Sequence, residues 1–410
     1  MKSGKIKKTT SYIMAIPMND KDIDTPQMVY DRINAHDEFE LKETSFDDKN
    51  MCPMVTVVYK GQQYIVDIKI EPVNITPDFM FCHDMPDECI KKMKKAKIGI
   101  TTSLTFTDDI MESYHFQLKF LNCIIPDKAA VVDFNTHRIF SPLWIKSVAV
   151  SSVSPGPNYV FSVNMLRDKN NLHWVYTYGL NRCGFYELEV LNTEKEDVNF
   201  CASVLNITAN KALADNEFPN ESEPMEIAVL NDGQALNVTW KNWKDEIKSY
   251  PEGTLGTGNT RVKDRCLFNG MLYIYPPGKT KKPCRANEFA VVDMENAIVK
   301  VSEKETARME ALAAETISKF AKVMTMPEAK GIVKIKINTE NEKQAGYEHI
   351  WAEVDQIGVN EVFATVLHDS SYSDQVKKGD KIQTEFESIT DWRAIVDGKD
   401  ITPDRAFLVD

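Results

Sequence analysis

The chain has 410 residues, 43% of them hydrophobic and 27% charged, and a formal net charge of −12. That length supports two or three domains with separate cores, and the composition is that of ordinary globular protein. The basic start MKSGKIKK precedes only about six apolar residues before Pro17, too few for a signal-peptide core, and no window approaches the roughly 18 apolar residues of a membrane span.

A cytoplasmic location without a membrane partner is therefore expected. The eight cysteines contain no CxxC pair and read as reduced thiols rather than a disulfide framework. Residues 331–410 hold 9 Lys and Arg against 16 Asp and Glu, and the first 330 residues hold 40 against 45. An acidic tail repels phosphate backbones, so nucleic acid is not an expected partner.

In chain order, Tyr12 to Pro17 reads as a strand and Thr25 to Ala35 as a short helix capped by Asp24. Met54 to Tyr59 and Gln63 to Ile70 alternate apolar and polar residues across Lys60-Gly61, a hairpin pattern. Pro86 to Ala96 is a helix, Ile98 to Phe106 a strand, and Asp109 to Ile125 a helix with Ile110, Tyr114, Leu118, Leu121 and Ile125 on one stripe. Ala129 to Asp133 is a short buried strand, and a helix carrying Trp144 starts at Ser141-Pro142. Pro155-Gly156-Pro157 then interrupts the chain. Tyr159 to Met165, His173 to Tyr178 and Tyr186 to Leu191 read as strands, and about Thr193 to Ala214 as a helix. Glu226 to Leu230 and Ala235 to Trp240 flank the hairpin signal Asn231-Asp232-Gly233. The Gly- and Thr-rich run 251–263 and the Pro- and Lys-rich run 276–283 read as surface loops.

Ser302 to Met326 has a capping-box start, with Ser302 followed by Glu305. Its apolar residues Met309, Leu312, Ala313, Ile317, Phe320, Val323 and Met324 recur at helical spacing. Beyond it, Ile332 to Ile337, His349 to Val354, Glu361 to Leu367, Lys381 to Phe386 and Trp392 to Val396 are strands. So many short strands in about 80 residues suggest a small barrel or curled sheet. Its expected core is Ile335, Ile350, Val354, Val362, Val366, Ile382, Phe386 and Ile395. The expected fold class is α+β: a unit over 1–154, a second over 155–301 that can merge with the first, a linking amphipathic helix over 302–330, and a small mostly-β domain over 331–410.

Three motifs in the tail, Gly346-Tyr347-Glu348-His349-Ile350-Trp351, Gly379-Asp380 and Ile389-Thr390-Asp391-Trp392, resemble a bacterial family known as domain of unknown function 2314. The front part resembles domain of unknown function 4026. The residues behind that are Tyr114-His115-Phe116-Gln117-Leu118-Lys119, Asp133-Phe134-Asn135 with Phe140-Ser141-Pro142, and Tyr178-Gly179-Leu180-Asn181-Arg182-Cys183-Gly184 with Tyr186-Glu187-Leu188-Glu189. Phe185-Tyr186 departs from the Pro that the family favours there. The resemblance implies a bacterial intracellular protein and no particular mechanism.

Several constellations fail as chemistry. Gly278-Lys279-Thr280 lacks the glycine a phosphate loop needs at Tyr273, and Gly253, Gly256, Gly258 and Asn259 do not match a dinucleotide fingerprint. Cys82, His83, Asp84 and Cys89 do not have the spacing of a zinc module, so no metal or cofactor is expected. Two groups remain. Glu348, His349, Trp351, Asp391 and Trp392 could form an aromatic patch with carboxylates at its rim, suited to a basic protein or peptide. If instead both tryptophans fill the core, His349 would bond to Asp391. Cys183 beside Arg182, with His115, His137 or His173 as a base, would be the site of a hydrolase or transferase.

The leading expectation is a non-enzymatic binding module, in one version neutralising a basic toxin in the manner of an immunity protein. A hydrolase or transferase is the alternative, and a structural subunit of an assembly a third.

Overall fold

Lys60 and Gly61 have φ of 49° and 78°, the left-handed pair that a two-residue hairpin turn requires, and Tyr59 lies directly across from Gln62. This hairpin belongs to the first of three sheets in the computed structural model, which describes residues 2–23, 25–47, 52–230, 233–258, 261, 268–276, 282–289, 297–339, 346–371, 373 and 376–409. The first sheet contains β1 (Ser11–Pro17), β2 (Phe39–Asp47), β3 (Cys52–Tyr59), β4 (Gln62–Pro72), β5 (Met80–Phe81), β6 (Ile98–Leu104), β7 (Lys128–Asp133) and β8 (Arg138–Phe140), in the order β2-β3-β4-β6-β1-β7-β8-β5. Helix α1 (Pro26–Asn34) is capped by Thr25, whose side chain accepts from Met28 N; the expected cap Asp24 lies outside the described residues.

Apolar residues on both faces of β1 explain why helices cover both sides of this sheet. Helix α2 (Asp87–Lys95) packs Cys89 and Met93 against Met14, Ile16, Ala130 and Val132. Helix α3 (Ile110–Ile124) stacks Phe116 on Tyr64, with ring centroids 4.0 Å apart, and its N-cap Asp109 accepts from Glu112 N. Helix α4 (Pro142–Val150) follows β8 and buries Trp144.

The second sheet contains β9 (Ser162–Arg167), β10 (His173–Tyr178), β11 (Glu187–Thr193), β12 (Met225–Val229), β13 (Ala235–Asn242), β14 (Asn269–Tyr275), β15 (Cys284–Arg285) and β16 (Ile298–Val299). Its order is β16-β12-β13-β14-β11-β10-β9, with β15 paired to β14. Helix α5 (Val198–Asp215) lies against β10 and β11, and the one-turn helix α6 (Trp243–Glu246) follows β13. Of the expected hairpin signal, Asn231 and Asp232 lie outside the described residues, while Gly233 has the positive φ of such a turn. Residues 1–149 and 156–302 form one compact unit, so the expected units 1–154 and 155–301 fall almost entirely within it.

The C-terminal unit comprises residues 150–155 and 303–410. Helix α7 (Glu303–Met324) is its covering layer, placing Ala313, Phe320 and Val323 against a sheet of β17 (Lys330–Thr339), β18 (Gly346–Ile357), β19 (Glu361–Val366), β20 (Lys381–Glu385), β21 (Ile389–Val396) and β22 (Lys399–Ile401). The order β20-β19-β18-β17-β21-β22 is antiparallel throughout and open, so the expected small barrel is corrected to an open sheet. The physical reason is coverage. Helix α7 and the terminal turn Pro403–Val409, which buries Ala406, Phe407 and Val409, shield the apolar face that closure would otherwise have to hide. One expected core residue is also corrected. Ile395 is 45% exposed because Trp392, Ala394 and Val396 point inward and alternation turns Ile395 outward.

Candidate functional site

The tail motif separates into three destinations. Trp392 is 1% exposed, its indole N–H reaches Thr316 Oγ1 at 3.3 Å, and its ring centroid lies 5.2 Å from that of Phe320; it is core. Glu348 accepts from Ser370 Oγ and, at 2.8 Å, from Ser371 N, which ties β18 to the loop after β19. His349 Nε2 lies 3.2 Å from Glu310 Oε1 on α7, and burial pulls its pKa below the ordinary value. The expected bond from His349 to Asp391 is replaced by these contacts. Asp391 accepts instead from Trp392 N at 2.8 Å.

Of the two tryptophans, Trp351 is the one that keeps partial exposure. It is partly buried and lines a groove of about 300 Å³ together with Arg308, Met309 and Leu312 of α7, Asp391, Trp392 and Arg393 of β21, and Thr402, Pro403 and Asp404 after β22. Of the five motif residues, the groove thus joins Trp351, Asp391 and Trp392 and omits Glu348 and His349.

Electrostatics distinguish the groove's charges. Arg308 is held by Glu305 through two contacts of 2.8 Å and donates to Ser154 O at 3.2 Å; it lies 3.7 Å from Asp404. Arg393 pairs with Asp400 at 2.5 Å. Desolvation raises the pKa of both Asp391 and Asp404 above the usual carboxylate value, and Arg308 and Lys334 only partly oppose it. Across the sheet, Lys334 stands opposite both Trp351 and Asp391, with its ammonium 5.7 Å from the Trp351 ring centroid.

Arg308, Arg393 and Asp404 are the charged groove residues that lie outside the expected site. The Glu305–Arg308 spacing of three on a helix was a readable pairing signal. Nothing local marks Asp404.

The second candidate group disperses into separate structural roles. Arg182 is fully buried and clasps Asp133 at 3.1 and 2.7 Å, donates to Ser11 Oγ at 3.1 Å and Val160 O at 2.7 Å, and lies 5.0 Å over the Tyr114 ring. Cys183 is buried 3.8 Å from Gly179 O, and desolvation pushes its thiol up to about 12, so at neutral pH it holds its proton. His115 bonds Val148 O at 2.9 Å, and burial lowers its pKa to about 4. His137 stacks on Phe79 and meets Asp78 at 2.8 Å, and His173 meets Thr193 O at 3.3 Å. None of these imidazole contacts leads to the thiol.

Glu187 has a comparable bracing role, accepting from Gly179 N, Asn181 N and Thr177 Oγ1 at 2.8 to 3.0 Å. The front motifs therefore converge on buried scaffolding.

Among the described residues no group of three His, Cys, Asp or Glu could hold a metal ion, and no helix is long and apolar enough to cross a membrane. Cys89 is core, and desolvation raises Cys82 to about 11. Gly278-Lys279-Thr280 and Asn259 lie outside the described residues. Gly256 is held against Trp174 and Leu191, where an added Cβ would come within 3.0 and 2.7 Å of their side chains.

Family models match three consecutive stretches. Residues 11–155 and 160–273 match the N- and C-terminal parts of a protein of unknown function (DUF4026), and residues 294–402 match an uncharacterized protein conserved in bacteria (DUF2314). No curated protein and no solved structure matches the chain. Motifs, order and matched stretches agree, and the chain belongs to the DUF4026 family, with a DUF2314 region following it.

Proposed function

We propose that this is a non-enzymatic, cytoplasmic binding protein whose C-terminal unit receives a basic protein or peptide. The observation that supports the reading is the groove in which the partly exposed indole of Trp351 lies with Asp391 and Asp404. An indole face and carboxylates are the groups that hold a cationic side chain, and apolar walls from Met309, Leu312 and Pro403 suit its aliphatic stem. Neutralisation of a basic toxin, in the manner of an immunity protein, is one use such a surface would serve.

Peptide display on the full chain tests this directly. Recovered peptides are expected to be enriched in Lys and Arg and to lose binding to the Trp351→Ala protein. Peptides with no basic bias, or peptides that bind the Trp351→Ala protein equally well, would count against the reading.

A further inference from the structure

We infer that the groove is a guanidinium seat, in which an arginine side chain of the partner lies on the Trp351 indole and pairs with Asp404, while Lys334 of the chain itself competes for the same attraction. This rests on the binding reading above and names the group that is bound.

Both arginines that line the groove already have carboxylate partners outside its lining, Arg308 with Glu305 and Arg393 with Asp400. The two lining carboxylates are left as the surplus. Asp391 accepts from the backbone N–H of Trp392, whereas among the described residues Asp404 has only the 3.7 Å approach of an arginine otherwise engaged. Asp404 also keeps 38% of its side-chain surface exposed, so an incoming cation can reach it.

A cation already lies within reach of Trp351, namely the Lys334 ammonium at 5.7 Å, so the ring face takes positive charge in this fold and Lys334 is the rival an incoming cation meets there. Lys334 does not line the groove, so it competes through its charge and leaves the space open. A planar guanidinium can stack on an indole and pair with a carboxylate through two parallel N–H groups, which an ammonium cannot do. A groove of about 300 Å³ accommodates one such side chain.

The test uses the full chain, titrated with Nα-acetyl-arginine amide, Nα-acetyl-lysine amide and the neutral Nα-acetyl-citrulline amide. The readout is the indole N–H signal of Trp351 by NMR, assigned with Trp351→Phe. The arginine amide is expected to shift that signal and to bind more tightly than the other two. Lys334→Met should tighten arginine binding roughly threefold, the size expected when a weak competing cation–π contact is removed. Asp404→Asn should weaken it by at least a similar factor.

An arginine amide that leaves Trp351 unshifted in both wild type and Lys334→Met would overturn the inference. So would equal binding of citrulline or lysine amide, or undiminished binding to Asp404→Asn. Failure here is separable from failure of the binding reading. A display-selected peptide that depends on Trp351 but contains no arginine would leave the module standing and remove only the guanidinium seat.

Discussion

At the scale of single residues, Asp133 and Arg182 show why residues of a recognisable motif need not be catalytic. Both side chains are fully buried, so neither charge is stable without the other. Arg182→Met is expected to cost about 3–5 kcal/mol, because it strands a buried carboxylate, and Arg182→Lys should not restore the loss, since an ammonium cannot reproduce the two-pronged contact. Urea denaturation of the two variants checks this, and a loss below about 1 kcal/mol for Arg182→Met would contradict it. His115 makes a pH-dependent contribution of definite sign. Its folded pKa of about 4 lies below the ordinary 6.5, so the native state prefers the neutral ring. Stability from this residue is complete above pH 6.5 and falls as pH drops toward 4, by an amount on the order of 3 kcal/mol. An NMR titration should find its ring neutral at pH 5.5, and a ring that titrates near 6.5 would refute the assignment.

At the scale of elements, α7 holds the C-terminal sheet through a few large contacts. Phe320 is fully buried and packs on Trp392, so Phe320→Ala should destabilise this unit by about 3–5 kcal/mol. Hydrogen exchange should then accelerate in Lys330–Thr339 and Ile389–Val396; unchanged protection there would argue against the packing described. Alternation made most of these strands legible, as it did the Tyr59–Gln62 hairpin, and helical spacing did the same for α7. It could not show β14, a central strand of the second sheet: Asn269–Tyr275 is an unbroken apolar run after Gly270, buried on both faces, so no period of two exists to be read. Nor could it separate Trp351 from Trp392, since both sit in strands of similar composition and only the third dimension decides which one α7 covers. The register irregularity between Lys334 and Ile335, which skips Thr390 and sets Ile389 opposite Ile335, is likewise absent from any local pattern. Half of the site was therefore readable as a motif, while Asp404 arrives from a separate turn.

At the scale of the whole molecule, the surplus negative charge of residues 331–410 has a local expression at Asp391 and Asp404. Desolvation raises both of their pKa values, which means that the folded state is a less comfortable place for the carboxylates than water. For an acid whose folded pKa is raised, the sign of linkage is destabilising. The unfavourable contribution is complete above the folded pKa and disappears as pH falls below the unfolded value, because the native state then binds its proton. A binding surface with this property gives up stability to keep an ionised acceptor at hand, and removing the charge should reveal the exchange. Asp404→Asn is accordingly expected to raise the Tm of the full chain at pH 7.5 while weakening arginine binding. The gain should shrink as the pH is lowered to 4, where wild-type Asp404 is itself increasingly protonated. Thermal denaturation of both proteins at the two pH values decides the matter. A lower Tm for the variant at pH 7.5 would mean that Asp404 is chiefly a structural partner of Arg308, and an unchanging difference across pH would mean that the effect does not come from its charge.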